Sequence, residues 1–142
     1  MPPPCQTRLT RREVFSAAHR LHSPHLSEGE NRRVYGKCNW EGGHGHNYQV
    51  EVTLAGPVDP TTGMLVNLAD LKQLLWETAL SQLDHRNLDR DVPYFASHPS
   101  TAENVARYIW EQLEPVVPAP ACLCEIKLCE TENNHVVLRR GE

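Results

Sequence analysis

Aromatic side chains make up only 6 % of this 142-residue chain, two phenylalanines among them. A Lys/Arg stripe interleaved with aromatics is missing as well, which argues against nucleic acid as a partner. Long apolar runs are absent, and no stretch approaches the roughly 18 residues that a membrane span requires. The opening Met1-Pro2-Pro3-Pro4, followed by Cys5-Gln6-Thr7-Arg8, lacks the apolar core of a secretory signal. The expectation is a soluble, cytoplasmic protein that engages neither membrane nor nucleic acid. Cysteine is too irregular for a disulfide framework: Cys5, Cys38, Cys122, Cys124 and Cys129 are odd in number, and a chain of this length buries a core without covalent staples. They read as thiols in a reducing compartment. A large charge excess is lacking too. The net charge is -4, yet residues 1–37 hold seven Lys/Arg against three Asp/Glu and the remainder hold seven against fifteen. That basic first quarter suits a small anionic ligand such as a phosphorylated substrate.

What is present is an ordinary globular composition, 39 % apolar and 23 % charged, in a length that fits one domain over residues 1–142. Residues 1–8 read as a loose arm. Phe15, Ala17, His19 and Leu21 share one parity, as on a strand turned inward at its later end. Residues 22–43 are rich in Ser, Pro, Gly and charge and read as a long loop. From Asn47 to Leu54 apolar and polar residues alternate strictly, which is a strand. Asn67 offers a cap for an amphipathic helix through Leu68, Leu71, Leu75, Ala79 and Leu83, about four turns long. Ser100-Thr101-Ala102-Glu103 reads as a capping box opening a second helix through Val105, Ile109 and Leu113. Cys122, Cys124, Ile126, Leu128 and Glu130 alternate on one face of a strand, which a turn joins to Val136–Arg139 as a terminal hairpin. The order ββααββ implies an α+β fold: a four-stranded antiparallel sheet with two helices on one face.

His44-Gly45-His46 places two imidazoles on the same face of a strand. Neutral imidazole is the commonest metal ligand, and a third histidine from a neighbouring strand completes a three-nitrogen site with one position open. His19 is the natural third. Cys38, just upstream, admits two roles, as the fourth ligand of a closed structural site or as a nucleophile or base beside an open one. His22, His25, His98 and His135 read as loop or surface residues. Asp84-His85 pairs a carboxylate with an imidazole whose tautomer and basicity it can set. Neighbours on regular structure seldom face each other, so that pairing requires a loop or a helix end, and a helix ending in a dipole-favoured histidine is the plainer alternative. Glu130 continues the apolar parity of Ile126 and Leu128, and its two oxygens match a planar ligand offering two parallel N–H donors, such as a guanidine or the amide edge of a pterin or guanine. A strand-end glutamate reaching solvent is the alternative there. Cys122, Cys124 and Cys129 read as packing thiols of that strand.

Five segments together carry a resemblance: Phe15-Ser-Ala-Ala-His19-Arg-Leu; Gly36-Lys-Cys38-Asn, five residues before His44-Gly-His46-Asn-Tyr; Gly63-Met-Leu-Val-Asn-Leu-Ala-Asp-Leu-Lys72; Leu83-Asp84-His85-Arg-Asn-Leu; and Glu130-Thr. In order and spacing they closely resemble the 6-pyruvoyl-tetrahydropterin synthase family, in its animal branch, from Arg11 to Glu142. Bacterial 6-carboxytetrahydropterin synthases of the same family typically place three residues, not five, between the cysteine and the H-G-H.

The resemblance implies the tunnelling fold, in which sheets of three subunits close a barrel and two trimers stack as a homohexamer. It implies a zinc-dependent lyase of tetrahydrobiopterin biosynthesis, converting 7,8-dihydroneopterin triphosphate to 6-pyruvoyl-tetrahydropterin and triphosphate. By the same resemblance one Zn2+ per chain is held by His19, His44 and His46, with Cys38 the general base. Asp84 and His85 form a relay to that cysteine, supplied by a neighbouring subunit. Glu130 is the pterin anchor, and Thr101 lies in the segment that helps hold the pterin. Relatives often carry threonine where Ala102 stands, so the resemblance does not carry a side-chain hydroxyl contact over to that position, though a backbone contact would survive. Arg20, Arg32, Arg33 and Lys37 are the basic candidates for the triphosphate, and Mg2+ would suit such a substrate. The rival readings are a carboxytetrahydropterin-synthase-like activity and a non-catalytic zinc- or pterin-binding module in which Cys38 closes the metal site.

Overall fold

The computed structural model describes residues 6–141. The proposed loose arm lies outside the described residues at positions 1–5, and is corrected at its other end, because Thr7 and Arg8 already belong to the first strand. In chain order the elements are β1 (Thr7–His19), α1 (Glu28–Tyr35), β2 (His44–Gly56), α2 (Leu68–Thr78), β3 (Arg86–Asn87), α3 (Leu88–Asp91), α4 (Ala102–Leu113), β4 (Cys122–Cys129) and β5 (His135–Arg139). One sheet runs β3-β1-β2-β4-β5. It has five strands and is mixed, not four and antiparallel: β3 lies parallel to β1, pairing Ala17 with Arg86 and Ala18 with Asn87. A two-residue strand has no period for a sequence to display, which is why the pattern missed it.

The long strands β1 and β2 pair over their full length, from Thr7 opposite Gly56 to His19 opposite His44. Their alternation turns Phe15, Ala17, Tyr48, Val50, Val52 and Leu54 to one face, where Leu71 and Leu75 of α2 and Ile109 and Leu113 of α4 cover them. Val105 and Ile109 are β-branched and cost a helix up to about 0.7 kcal/mol each. Full burial of such side chains returns roughly 1.5–3 kcal/mol each, so packing decides for helix. The opposite face of the sheet is polar, with Thr10 bonded to Thr53 and Lys127 beside Glu51.

Four local expectations are corrected. Residues 22–43 are not all loop, because Ser27 and Glu30 form a reciprocal capping box that opens α1 and a 3-10 turn follows at Gly36–Asn39. α2 stops at Thr78, and the 3-10 turn Leu80–Gln82 replaces its last turn, carrying Leu80 and Leu83 fully into the core. α4 is capped by Thr101, whose side chain accepts from the Asn104 amide, and not by a box at Ser100. In β4 a bulge at Cys124 lies between the pairs Leu54–Leu123 and Thr53–Glu125. The bulge reverses the parity, so Leu123 is the buried residue, Cys122 is exposed and Cys124 half-buried. These two thiols therefore lie outside the core, Cys122 Sγ donating to the Ala55 carbonyl (3.6 Å) and Cys124 Sγ to the Thr53 carbonyl (3.3 Å). Among the described residues no helix is long and apolar enough to cross a membrane.

Candidate functional site

His19 ends β1 and His44 begins β2 directly opposite it, while His46 stands two residues further on, across from Ala17. Strand parity turns all three imidazoles to the helix-covered face. One ring nitrogen from each lies within 4.8 Å of the others, and His19 Nε2 is 3.1 Å from His44 Nε2. Two ligands about 2 Å from a shared tetrahedral ion stand roughly 3.3 Å apart, so this spacing suits a common metal. His19 is fully buried, and its Nδ1 lies 2.7 Å from the Ser100 carbonyl. A carbonyl only accepts, so Nδ1 carries the proton and Nε2 presents its lone pair to the cluster. His46 Nε2 is buried without a hydrogen-bond partner, Glu130 Oε1 standing at 3.5 Å. An orphaned, inward-facing nitrogen is costly in a protein interior unless something binds it. Burial, followed by the neighbouring imidazoles, holds His44 below the ordinary imidazole value, and burial does the same for His46 against the opposing pull of Glu130. All of this fits the donor set of a divalent transition metal, which requires neutral imidazoles.

The entry into β2 depends on Gly43. Its φ is +75°, and a Cβ there would stand 3.0 Å from the His19 carbonyl oxygen. Gly43→Ala is expected to weaken metal binding and to lower the melting temperature by an amount worth about 1–3 kcal/mol, the usual cost of a strained backbone position. Chelator competition and a thermal melt read the two effects separately.

Cys38 sits half-buried in the turn Gly36–Asn39. Its backbone is stitched to the residues after His19: Leu21 N–H donates to the Cys38 carbonyl (2.9 Å), Arg20 Nε to the Asn39 carbonyl (2.7 Å) and Asn39 Nδ2 to the Leu21 carbonyl (2.7 Å). Among the described residues the group of donors able to share a metal is the three histidines, without Cys38. Arg20 thereby spends its guanidinium Nε on this turn.

Asp84 and His85 lie in a turn before β3, not in a helix terminus. His85 has φ 61° and its amide donates to the Ser16 carbonyl, while Ser16 N–H donates to Asp84 Oδ1. This left-handed bend lets adjacent side chains meet, with His85 Nδ1 2.9 Å from Asp84 Oδ2. The His85 side chain is 82 % exposed and lines, with Gly45, His46 and Ser16, an open cavity of about 430 Å³. Burial raises the Asp84 pKa, but the Ser16 amide and His85 outweigh it and hold the carboxyl below its ordinary 3.8. The unfolded chain then binds that proton more readily, so the stabilisation is complete above the ordinary value and is lost as pH falls through the lowered one. Asp84→Ala is expected to melt below wild type at neutral pH, with the difference narrowing once the pH drops under 3.8.

Glu130 follows β4 and faces two cavities. One, of about 410 Å³, is shared with His46, Gln49 and Thr131. The other, of about 280 Å³, is shared with Thr101, Leu21 and Asn134. The structure thus brings together His19, His44, His46 and Glu130, and sets Thr101 across a cavity from Glu130. His22, His25, His98 and His135 stand outside the cluster. A larger apolar cavity of about 500 Å³ beside Leu65, Leu74 and Pro120 holds none of these residues. Sequence reasoning missed the Ser100 carbonyl, which has no side-chain signature, and Asp89, which looks like any acidic first-turn residue yet accepts the Arg20 amide beside His19.

A helix-covered mixed sheet that gathers three imidazoles and a carboxylate at one end defines an α+β enzyme built around a metal-competent centre. The family model described as 6-pyruvoyl tetrahydropterin synthase matches residues 8–141, and the chain belongs to that family. It is 54 % identical over 138 residues to a human protein named 6-pyruvoyl tetrahydrobiopterin synthase, covering 97 % of this chain and 94 % of the human one. A Drosophila melanogaster protein of the same name is 53 % identical over 131 residues, 92 % of this chain and 78 % of its own length. The solved 6-pyruvoyl tetrahydropterin synthase of Caenorhabditis elegans superposes with a TM-score of 0.92 at 45 % identity, over 99 % of this chain and 100 % of that one.

Proposed function

We propose that the chain is a zinc-dependent lyase of tetrahydrobiopterin synthesis, converting 7,8-dihydroneopterin triphosphate to 6-pyruvoyl-tetrahydropterin and inorganic triphosphate. The observation that carries the reading is the joining of the three-histidine cluster, through Glu130, to the cavity that Thr101 lines, in a chain so similar to proteins named for this product. His19, His44 and His46 would hold the ion. Bound there, zinc would act as a Lewis acid toward the substrate's side-chain hydroxyls, acidifying the neighbouring C–H bonds.

The protein's own groups do the rest. Glu130 accepts two N–H bonds from the pterin and so fixes its orientation, a charge-assisted bidentate contact. The Thr101 oxygen already accepts from the Asn104 amide, which leaves its O–H free to donate to the ring. Cys38 takes a proton from the side chain, and Asp84 with His85 relays protons to it. The exposed His85 ring, tied at Nδ1 to Asp84, suits service at the Cys38 of another copy. Assembly into a barrel-forming homohexamer would bring the two together and would cover the β5 edge and most of the β1 edge, where β3 pairs with only two residues. Triphosphate departs with its electron pair while proton shifts along the side chain leave the pyruvoyl group, and no external oxidant is consumed. Arg32, Arg33 and Lys37 remain the cationic candidates for triphosphate, and Arg20 is the poorest of the four.

The test is incubation of the purified protein with 7,8-dihydroneopterin triphosphate, before and after metal removal and zinc repletion. Release of triphosphate with formation of 6-pyruvoyl-tetrahydropterin, lost on stripping and regained on repletion, is expected. Intact substrate, or a carboxylated or side-chain-cleaved pterin product, would overturn the reading.

A further inference from the structure

The chain leaving His19 is held by a carboxylate that belongs to no ligand set. Arg20, the first residue beyond β1, donates its amide to Asp89 Oδ2 at 2.7 Å. Asp89 stands in the first turn of α3, its own amide bonded to Asn87 Oδ1. Residues 20 and 21 are thus gripped from two sides, by Asp89 and by the turn that carries Cys38. The Asp89 side chain is half-buried, and among the described residues no salt bridge engages it.

Its charge therefore acts on what lies nearby. Through the Arg20 amide that charge is fixed one residue from His19, the end of β1. A fixed negative charge attracts a dication twice as strongly as it attracts a proton at the same place. A carboxylate held beside the chain that carries His19 consequently tilts the three-imidazole cluster toward a divalent ion and away from protons. Groups that orient and polarise metal ligands without touching the ion commonly govern affinity by 10- to 100-fold.

We propose that Asp89 is a positioning residue of the metal centre, fixing the backbone that carries His19 and setting a negative charge toward the bound dication without ligating it. This rests on the three-histidine metal site. The plainer role, a cap on one amide, is separable from it. Asp89→Asn keeps an oxygen that accepts from Arg20 and removes only the charge, whereas Asp89→Ala removes both.

The experiment measures Zn2+ affinity by competition with a chromophoric chelator for wild type, D89N, D89A and D89E, together with thermal melts of each metal-free protein. D89N is expected to bind Zn2+ about 10-fold or more weakly while its metal-free form melts as wild type does. D89A should bind more weakly still and melt lower, and D89E should regain part of the affinity that D89N loses. Wild-type affinity in D89N overturns the proposal, as does a loss in D89N that is matched by a lower metal-free melt and not relieved in D89E. A wild type that binds no Zn2+ would instead remove the three-histidine site itself, and the role of Asp89 with it.

Discussion

His19→Ala is expected to bring metal occupancy to background and to abolish turnover, the largest single loss that any substitution at this centre should give. His19 is the imidazole of the cluster with the least freedom: it is fully buried, its Nδ1 is committed to the Ser100 carbonyl, and its Nε2 faces His44. Alanine removes one of three nitrogens and leaves that carbonyl unpaired in the interior, an orphaned acceptor worth about 1–3 kcal/mol. The metal-free variant should therefore also melt below metal-free wild type. Metal analysis after gel filtration and a thermal melt check both. A variant that retains the ion would show that His19 is a structural histidine and that the ligands lie elsewhere.

The second large effect is expected at Glu130. Glu130→Gln keeps the shape of the side chain but turns one of two acceptors into a donor aimed at a donor. A site built to hydrogen-bond its substrate rejects a mismatched partner by far more than a missing methylene costs, so kcat/KM should fall by roughly 10²- to 10⁴-fold. At saturating zinc the metal content should stay near that of wild type, because Glu130 Oε1 stands 3.5 Å from His46 Nε2 and lies outside the ligand group, so that losing its charge lowers affinity without removing a ligand. Steady-state kinetics beside metal analysis distinguish a lost anchor from a lost ion. Undiminished kcat/KM would remove Glu130 from substrate binding.

Much of this was legible in the sequence because it is periodic. Tyr48, Val50, Val52 and Leu54 announce β2, and carrying that parity backward places His44 and His46 on one face. The odd-numbered parity of Phe15, Ala17 and His19 does the same for the third imidazole. The register that sets His19 opposite His44 follows from pairing these two strands, and sequence could only nominate it. What escaped the reading has no period. The two-residue β3, the bulge at Cys124 and the left-handed bend at His85 are events of one or two residues fixed by tertiary hydrogen bonds. The α1 capping box at Ser27 and Glu30 was legible in principle but lay among Pro, Gly and charged residues that read as loop. The Thr101 cap displaced the expected Ser100 box because Ser100 is buried against the three-histidine cluster, its carbonyl taken by His19. A requirement of the site there overrides a local helix signal, as is common at functional positions.

The most direct measurement compares zinc content and triphosphate release from 7,8-dihydroneopterin triphosphate in wild type and Cys38→Ala prepared side by side. With a three-histidine site and Cys38 as base, the variant keeps about one zinc ion per chain and loses turnover by roughly 10²- to 10⁴-fold, the range of a general base. Loss of zinc together with the thiol would contradict the account, since Cys38 would then be closing a structural site.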